Sequence, residues 1–196
     1  MTIEAVRQIG SEEDLRPNLA ILCAGCGAVA LISAMSLLWP FAIASTILGA
    51  LMIAGADVDA RTYLLPDIVT CGAIISGIVA AAALNPFEPW LSAGAAVARA
   101  AGTALALALL RSCYARIRRR EGLGFGDVKL SAAVGAWLPL DAIPLCFGLA
   151  ASAALVAVVM AHLRGRSVAA EAKLPFGAFL CPSLWLVFFA SALPCC

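Results

Sequence analysis

Aspartates stand at the edges of two long apolar stretches in this chain of 196 residues. Three of them fall within residues 57–67, and a fourth, Asp127, falls within residues 122–129. A carboxylate at the edge of a bilayer is costly to desolvate, so its presence there points to a function. An aspartic protease hydrolyses a peptide bond with two carboxylates, which different helices can bring together.

Such hydrolysis needs one ionised and one protonated carboxyl group. The ionised group takes a proton from water, and the protonated group donates a hydrogen bond to the scissile carbonyl. Two carboxyl groups at hydrogen-bonding distance do not both ionise readily, because their charges repel. The pair therefore loses its two protons at different pH values. The sequence must therefore place two aspartates on different helices at the same membrane depth.

Asp127 meets this requirement on one side. It opens a predicted helix, and Gly124 and Gly126 precede it. Glycine permits unusual backbone angles and the close approach of another chain. An ordinary helix N-terminus is the alternative, because aspartate is favoured there and the helix dipole stabilises the anion.

Three aspartates compete for the other side. Asp57 and Asp59 are two residues apart, so on a helix they point about 200° away from each other and at most one faces a common partner. Asp67 follows Pro66 in the first turn of a predicted helix, which suits an acid that interacts only with the helix dipole. Spacing alone leaves the choice between Asp57 and Asp59 open.

The composition indicates a membrane protein. Hydrophobic residues make up 63% of the chain and charged residues 13%, whereas a soluble domain carries about 25% charged residues. A net charge of +1, with basic residues confined to short loops, excludes a nucleic-acid binder. We expect no cofactor and no metal, because Cys23 and Cys26 have the spacing of half a zinc site without a second pair.

The expected fold is an all-α, polytopic membrane bundle of about seven helices, one of them short. The apolar segments lie near 19–39, 41–58, 67–84, 91–112, 127–139, 141–163 and 174–194. The fifth is well below the ~20 residues of a full span. Residues 1–18 are acidic and lack the pattern of a cleavable signal, which predicts a cytoplasmic N-terminal tail over 1–18 and a multi-pass membrane domain over 19–196.

Basic residues set the expected orientation. With a cytoplasmic N-terminus, all of them except Arg99, which falls within a span, lie on the cytoplasmic side. The cytoplasmic set comprises Arg7, Arg16, Arg61, Arg111, Arg116, Arg118, Arg119, Arg120, Lys129, Arg164, Arg166 and Lys173. Both aspartate segments then lie on the cytoplasmic side, and Arg99 snorkels outward or faces the bundle interior.

Three segments resemble blocks of the prepilin peptidases, the type IV leader peptidases. Residues 59–67, Asp-Ala-Arg-Thr-Tyr-Leu-Leu-Pro-Asp, are similar to the first block, and residues 122–129, Gly-Leu-Gly-Phe-Gly-Asp-Val-Lys, to the Gly-x-Gly-Asp block. Residues 174–180 are similar to a third. The resemblance implies that Asp59 and Asp127 are catalytic, with support from Gly124, Gly126, Lys129 and Pro66.

The resemblance also implies a function. The family removes the short basic leader of prepilins and pseudopilins at the cytoplasmic face of the bacterial inner membrane, just before the hydrophobic helix of the substrate. The expected partners are these precursors and membrane lipid. The candidate substrate contacts are Asp57, Asp67, Glu121, Pro175, Phe176 and Gly177.

One departure from the family concerns a second activity. Many members carry an N-terminal region with two Cys-x-x-Cys pairs and methylate the new N-terminus. Nothing in this sequence corresponds to that region, so a short form with peptidase activity alone is expected.

Other classes fit less well. Presenilin-like proteases share Gly-x-Gly-Asp, but a tyrosine precedes their first aspartate, where this chain has Val58. An ion-coupled transporter predicts acids at the membrane midplane and inverted repeats, neither of which is found. A noncatalytic scaffold of a secretion system is the third alternative, and the presence of both aspartates argues against it.

Overall fold

The computed structural model describes residues 18–62, 65–118, 124–164 and 175–193. Within these ranges every regular element is an α-helix, and there are seven. They are α1 (Leu19–Ser36), α2 (Trp39–Thr62), α3 (Asp67–Ala83), α4 (Pro89–Arg118), α5 (Phe125–Trp137), α6 (Ile143–Leu163) and α7 (Phe176–Ala192). The predicted all-α bundle with one short helix is confirmed.

Helix length divides the bundle into two groups. Four helices, α1, α2, α4 and α6, are long and apolar enough to cross a bilayer. The apolar helices α3 and α7 have 17 residues each, and α5 has 13. The chain is therefore a multi-pass membrane protein.

Two helices continue beyond their predicted ends. α2 reaches Thr62 and α4 reaches Arg118, whereas the apolar runs end near 58 and 112. Loss of hydropathy marks where a helix leaves the apolar layer, but backbone hydrogen bonding continues through polar residues. The extension of α2 matters for the site, because it makes both Asp57 and Asp59 helical.

The short helix α5 is surrounded by protein. It packs against α3, α4, α6 and α7, and most of its residues from Val128 to Trp137 are buried. The Trp137 Nε1–H donates a hydrogen bond of 2.7 Å to the Ala73 carbonyl of α3. A helix too short to span is tolerated at membrane depth where protein covers it.

Gly135 sets the crossing of α4 and α5. A Cβ at this position would lie 2.5 Å from the backbone oxygen of Arg99, so the two backbones are in direct contact. The Arg99 Nε–H donates to the Gly135 carbonyl at 3.2 Å. Arg99 therefore faces α5, which agrees with the interior-facing alternative for this residue.

Helix α1 is attached to α2 near both ends. At one end the Asn18 N–H donates to Asp57 Oδ2 at 2.8 Å. At the other, Ser33 Oγ and Ser45 Oγ share a buried hydrogen bond of 2.9 Å, and the Trp185 Nε1–H of α7 donates to Ser45 Oγ at 3.1 Å. The two bonds at Ser45 lie in an apolar setting that offers few other partners, so they define where this end of α1 docks.

Candidate active site

Asp59 lies in the last turn of α2 and is 6% exposed. Its Oδ2 accepts a hydrogen bond of 2.7 Å from the backbone N–H of Ala178. Ala178 is the third residue of α7, where backbone N–H groups have no partner inside the helix. The N-terminus of α7 therefore provides a donor to a buried carboxylate on another helix.

Gly177 makes this contact sterically feasible. A Cβ on Gly177 would lie 2.8 Å from Asp59 Oδ2 and 3.0 Å from Asp59 Cγ. Real Cβ atoms essentially never come closer than 3.0 Å to a heavy atom of this kind. Any larger residue at this position must displace the Asp59 side chain or the start of α7.

Asp127 occupies the first turn of α5, which is too short to cross the bilayer. Its Oδ2 accepts the Gly124 N–H at 3.3 Å. Burial, followed by the negative charge of Asp59, raises the pKa of Asp127 to about 6, against the lowering effect of the Gly124 N–H. One carboxylate from α2 and one from α5 are thus close enough for the charge of Asp59 to raise the pKa of Asp127.

Gly124 and Gly126, the two glycines that precede Asp127, leave space for neighbouring atoms. Gly124 has φ −68° and ψ 152°, which any residue adopts, so an unusual backbone angle is not its role. A Cβ on Gly126 would lie 3.2 Å from Leu65 Cβ. Gly126 therefore lets the start of α5 lie against Leu65, which follows α2 in the chain.

Asp57 lies on another face of α2. Its Oδ2 accepts Arg61 Nη2 at 2.6 Å and the Asn18 N–H at 2.8 Å. This difference in direction agrees with the ~200° separation expected for residues two apart on a helix. Of the two aspartates that spacing left open, Asp59 is the one that meets α7 and acts on Asp127.

Asp67 and Lys129 form an ion pair of 2.6 Å that joins the starts of α3 and α5. The Asp67 side chain is 69% exposed, so the pair contributes little to stability. Lys129 Nζ and Arg111 Cζ each lie 5.5 Å from the centre of the Phe125 ring. Lys129 therefore belongs to the charged surface around the start of α5.

The remaining predicted site residues lie at helix starts or outside the described part of the chain. Pro66 and Pro175 immediately precede α3 and α7. Phe176 is half-buried against the core. Glu121 lies outside the described residues.

Sequence reasoning missed Ala178 and Leu65. Both act through features that the residue type does not reveal, namely a backbone N–H and a van der Waals contact. Position within the third similar block was the only signal for Ala178. Among the residues that the structure describes, no group of three or more His, Cys, Asp and Glu is placed to hold a metal ion.

Comparison with known proteins shows the family of the chain. The sequence model that defines the type IV leader peptidase family matches residues 46–160 of this chain. A prepilin leader peptidase/N-methyltransferase from Burkholderia pseudomallei is 36% identical over 139 residues, covering 71% of this chain and 43% of the relative. The leader peptidase HopD of Escherichia coli is 37% identical over 139 residues, covering 69% of this chain and 84% of the relative.

A second HopD, from Salmonella typhimurium, is 38% identical over 136 residues and matches over 84% of its own length. The chain therefore spans most of the HopD proteins but less than half of the Burkholderia relative. No solved structure matches the chain significantly. By both the family match and the HopD alignments, the chain belongs to the type IV leader peptidase family.

Proposed function

We propose that the protein is a membrane aspartic endopeptidase that removes the short leader from type IV prepilins or pseudopilins. The observation that carries this proposal is that Asp59 and Asp127, on two different helices, are close enough for the negative charge of Asp59 to raise the pKa of Asp127. Relatives named prepilin leader peptidase and leader peptidase supply the substrate class. No described feature favours transport or a purely scaffolding role.

The two carboxylates are not equivalent, which suggests a division of roles. Asp59 accepts the shorter backbone hydrogen bond, 2.7 Å from Ala178, and a donated N–H favours the ionised form of a carboxylate. Asp127 has a raised pKa of about 6 and a longer bond from Gly124. We propose Asp59 as the base, because of its shorter hydrogen bond, and Asp127 as the acid, because its pKa is raised.

Cleavage proceeds by addition of water to the scissile carbonyl. The oxygen of the water bonds to the carbonyl carbon while Asp59 takes a proton from that water. Asp127 donates a hydrogen bond to the carbonyl oxygen. Return of a proton to the leaving nitrogen breaks the C–N bond. The products are a free carboxyl group on the leader and a free amine on the shortened protein.

The proposed orientation places the site at the cytoplasmic face of a bacterial inner membrane, with the N-terminus in the cytoplasm. Described basic residues at the ends of α2, α4 and α5 support it, because Arg61, Arg111 and Lys129 all lie at the site end of their helices. Cytoplasmic ends of membrane helices are enriched in such residues.

Substrate contacts are proposed at Asp67, Pro175 and Phe176. Pro175 and Phe176 lie at the start of α7, next to Gly177. Asp67 lies at the start of α3, where it pairs with Lys129. Gly177 is buried against Asp59, so its proposed role is to position that side chain. Asp57 is paired with Arg61, and a contact with a basic leader would have to compete with this partner. Peptidase activity without N-methylation is proposed, and the HopD relatives, which match over 84% of their length, are named leader peptidases alone.

Cleavage of a defined precursor tests the proposed function. The protein, co-expressed with a type IV prepilin, is expected to convert it to a shorter form with a new N-terminus. A gel shift and mass spectrometry measure the product. A precursor that stays full length, while the protein is correctly inserted in the membrane, contradicts the proposal.

A further inference from the structure

A groove opens between α1 and α7, with α2 as its floor. It has a volume of about 340 Å³ and exposes only apolar atoms. Its walls include Gly25 and Ala28 of α1 and Pro182 and Trp185 of α7. A cavity of about 300–1,000 Å³ is the usual size of a binding site.

The groove leads directly to the candidate active site. Met52 and Ala56, on its floor, lie two turns and one turn before Asp59 on the same side of α2. Pro182, on its wall, lies one turn after Ala178, which donates to Asp59. With a rise of 1.5 Å per residue, the groove begins within about 5 Å of the carboxylate along the helix axis and extends beyond 10 Å.

Helix α1 is held at both ends while its middle leaves the groove open. Asn18 ties one end of α1 to Asp57, and Ser33 ties the other to Ser45. Between them α1 rests on α2 through Gly25, whose Cβ position is 2.8 Å from Ile53 Cδ1. Helix α1 is therefore attached to α2 at both ends and in its middle, and the groove lies beside it.

The chemistry of the groove limits what can occupy it. An apolar surface offers no partner for a backbone N–H or C=O, so a peptide there must satisfy its own hydrogen bonds as a helix. Small side chains such as Gly25, Ala28 and Ala56 permit the close helix contacts that drive association in lipid. A substrate whose scissile bond lies at Asp59 also extends away from that bond in both directions, and the groove lies along one of these directions.

We propose that this groove, formed by α1, α2 and α7, binds the apolar helical segment that adjoins the scissile bond of the substrate. The inference rests on the proposed peptidase function and adds the surface that aligns the substrate. Binding of this segment along Met52 and Ala56 fixes the depth of the chain, so that the adjoining peptide bond lies at Asp59. Helix α1 is thereby a part of the substrate site.

Site-specific photo-crosslinking tests the occupant. Benzoylphenylalanine replaces Ile32, which lines the groove and is 45% exposed, or its neighbour Leu31, which is 63% exposed and lies outside the groove. Both are made in the Asp127→Asn background with a full-length prepilin in lipid vesicles. We expect crosslinks from position 32 to the apolar segment of the prepilin and few from position 31.

Equal crosslinking of the prepilin from both positions, or adducts with lipid alone from position 32, overturns the proposal. This result is independent of catalysis, because the unsubstituted protein is tested in parallel for cleavage. Failure of cleavage by that protein would count against the proposed function, whereas cleavage without selective crosslinking counts against the groove alone.

The second test fills the groove with a larger side chain and measures kcat/KM. Ala28→Trp is expected to lower kcat/KM about tenfold for the full-length prepilin, because one buried apolar contact is lost. A peptide that ends shortly after the scissile bond is expected to be cleaved as before. Ala34→Trp, on an exposed face of the same helix, is the matched control, and an equal effect of Ala28→Trp on both substrates contradicts the proposal.

Discussion

Replacing either Asp59 or Asp127 by asparagine is expected to lower prepilin cleavage by about a thousandfold or more, since each removes one member of a unit that acts together. Asparagine keeps the size of the side chain. It removes the base at position 59 and the titrating acid at position 127. The initial rate of cleavage in proteoliposomes, measured with equal amounts of inserted protein, gives the result.

Asp57→Asn is the matched control for this prediction. It makes the same chemical change two residues from Asp59, on another face of α2, where the carboxylate pairs with Arg61. Its cleavage rate is expected to stay within about threefold of the unsubstituted protein, because the Asp57 side chain points toward Arg61 and Asn18 rather than toward Asp127, and asparagine keeps an oxygen that can accept the Asn18 N–H. An inactive Asp57→Asn together with an active Asp59→Asn would reverse the assignment on α2.

Gly177→Ala has the second largest expected effect. The added methyl group would lie 2.8 Å from Asp59 Oδ2, so the carboxylate must move. A displacement of about 1 Å at a reacting group costs on the order of a hundredfold in rate. We therefore expect a loss of this size in kcat, measured with the same prepilin assay.

Gly148→Ala controls for the loss of a helical glycine. A Cβ on Gly148 meets no atom within 4 Å, so its cleavage rate is expected to be unchanged. Thermal unfolding of both variants in detergent separates displacement of Asp59 from general instability. Full activity of Gly177→Ala would show that the contact between α7 and Asp59 does not position the carboxylate.

The architecture was largely predictable from composition and apolar segment length. Hydropathy separated seven helices, and proline marked the starts of α3 and α7 at Pro66 and Pro175. The helix ends were less accurate, because α2 extends through charged residues to Thr62. Hydropathy records the depth of a residue in the membrane, whereas the end of a helix depends on its backbone hydrogen bonds.

The candidate site was predictable only in part. The helical period showed that Asp57 and Asp59 could not both face one partner. The family resemblance favoured Asp59, and the position of α7 supplies the physical reason for it. The Ala178 N–H and the space beside Gly177 depend on how two distant helices cross. Such contacts are set by tertiary packing, and the residue types at 177 and 178 do not encode them individually.

The meeting of the two carboxylates is tested most directly by titrating Asp127 with and without Asp59. Carbon-13 NMR of labelled aspartate, with Asp127→Asn used for assignment, follows the Asp127 carboxyl group. The account predicts a pKa of about 6 in the unsubstituted protein and a lower pKa in Asp59→Asn, because the neighbouring negative charge has been removed. A pKa for Asp127 that is the same in both proteins would show that the two groups do not interact.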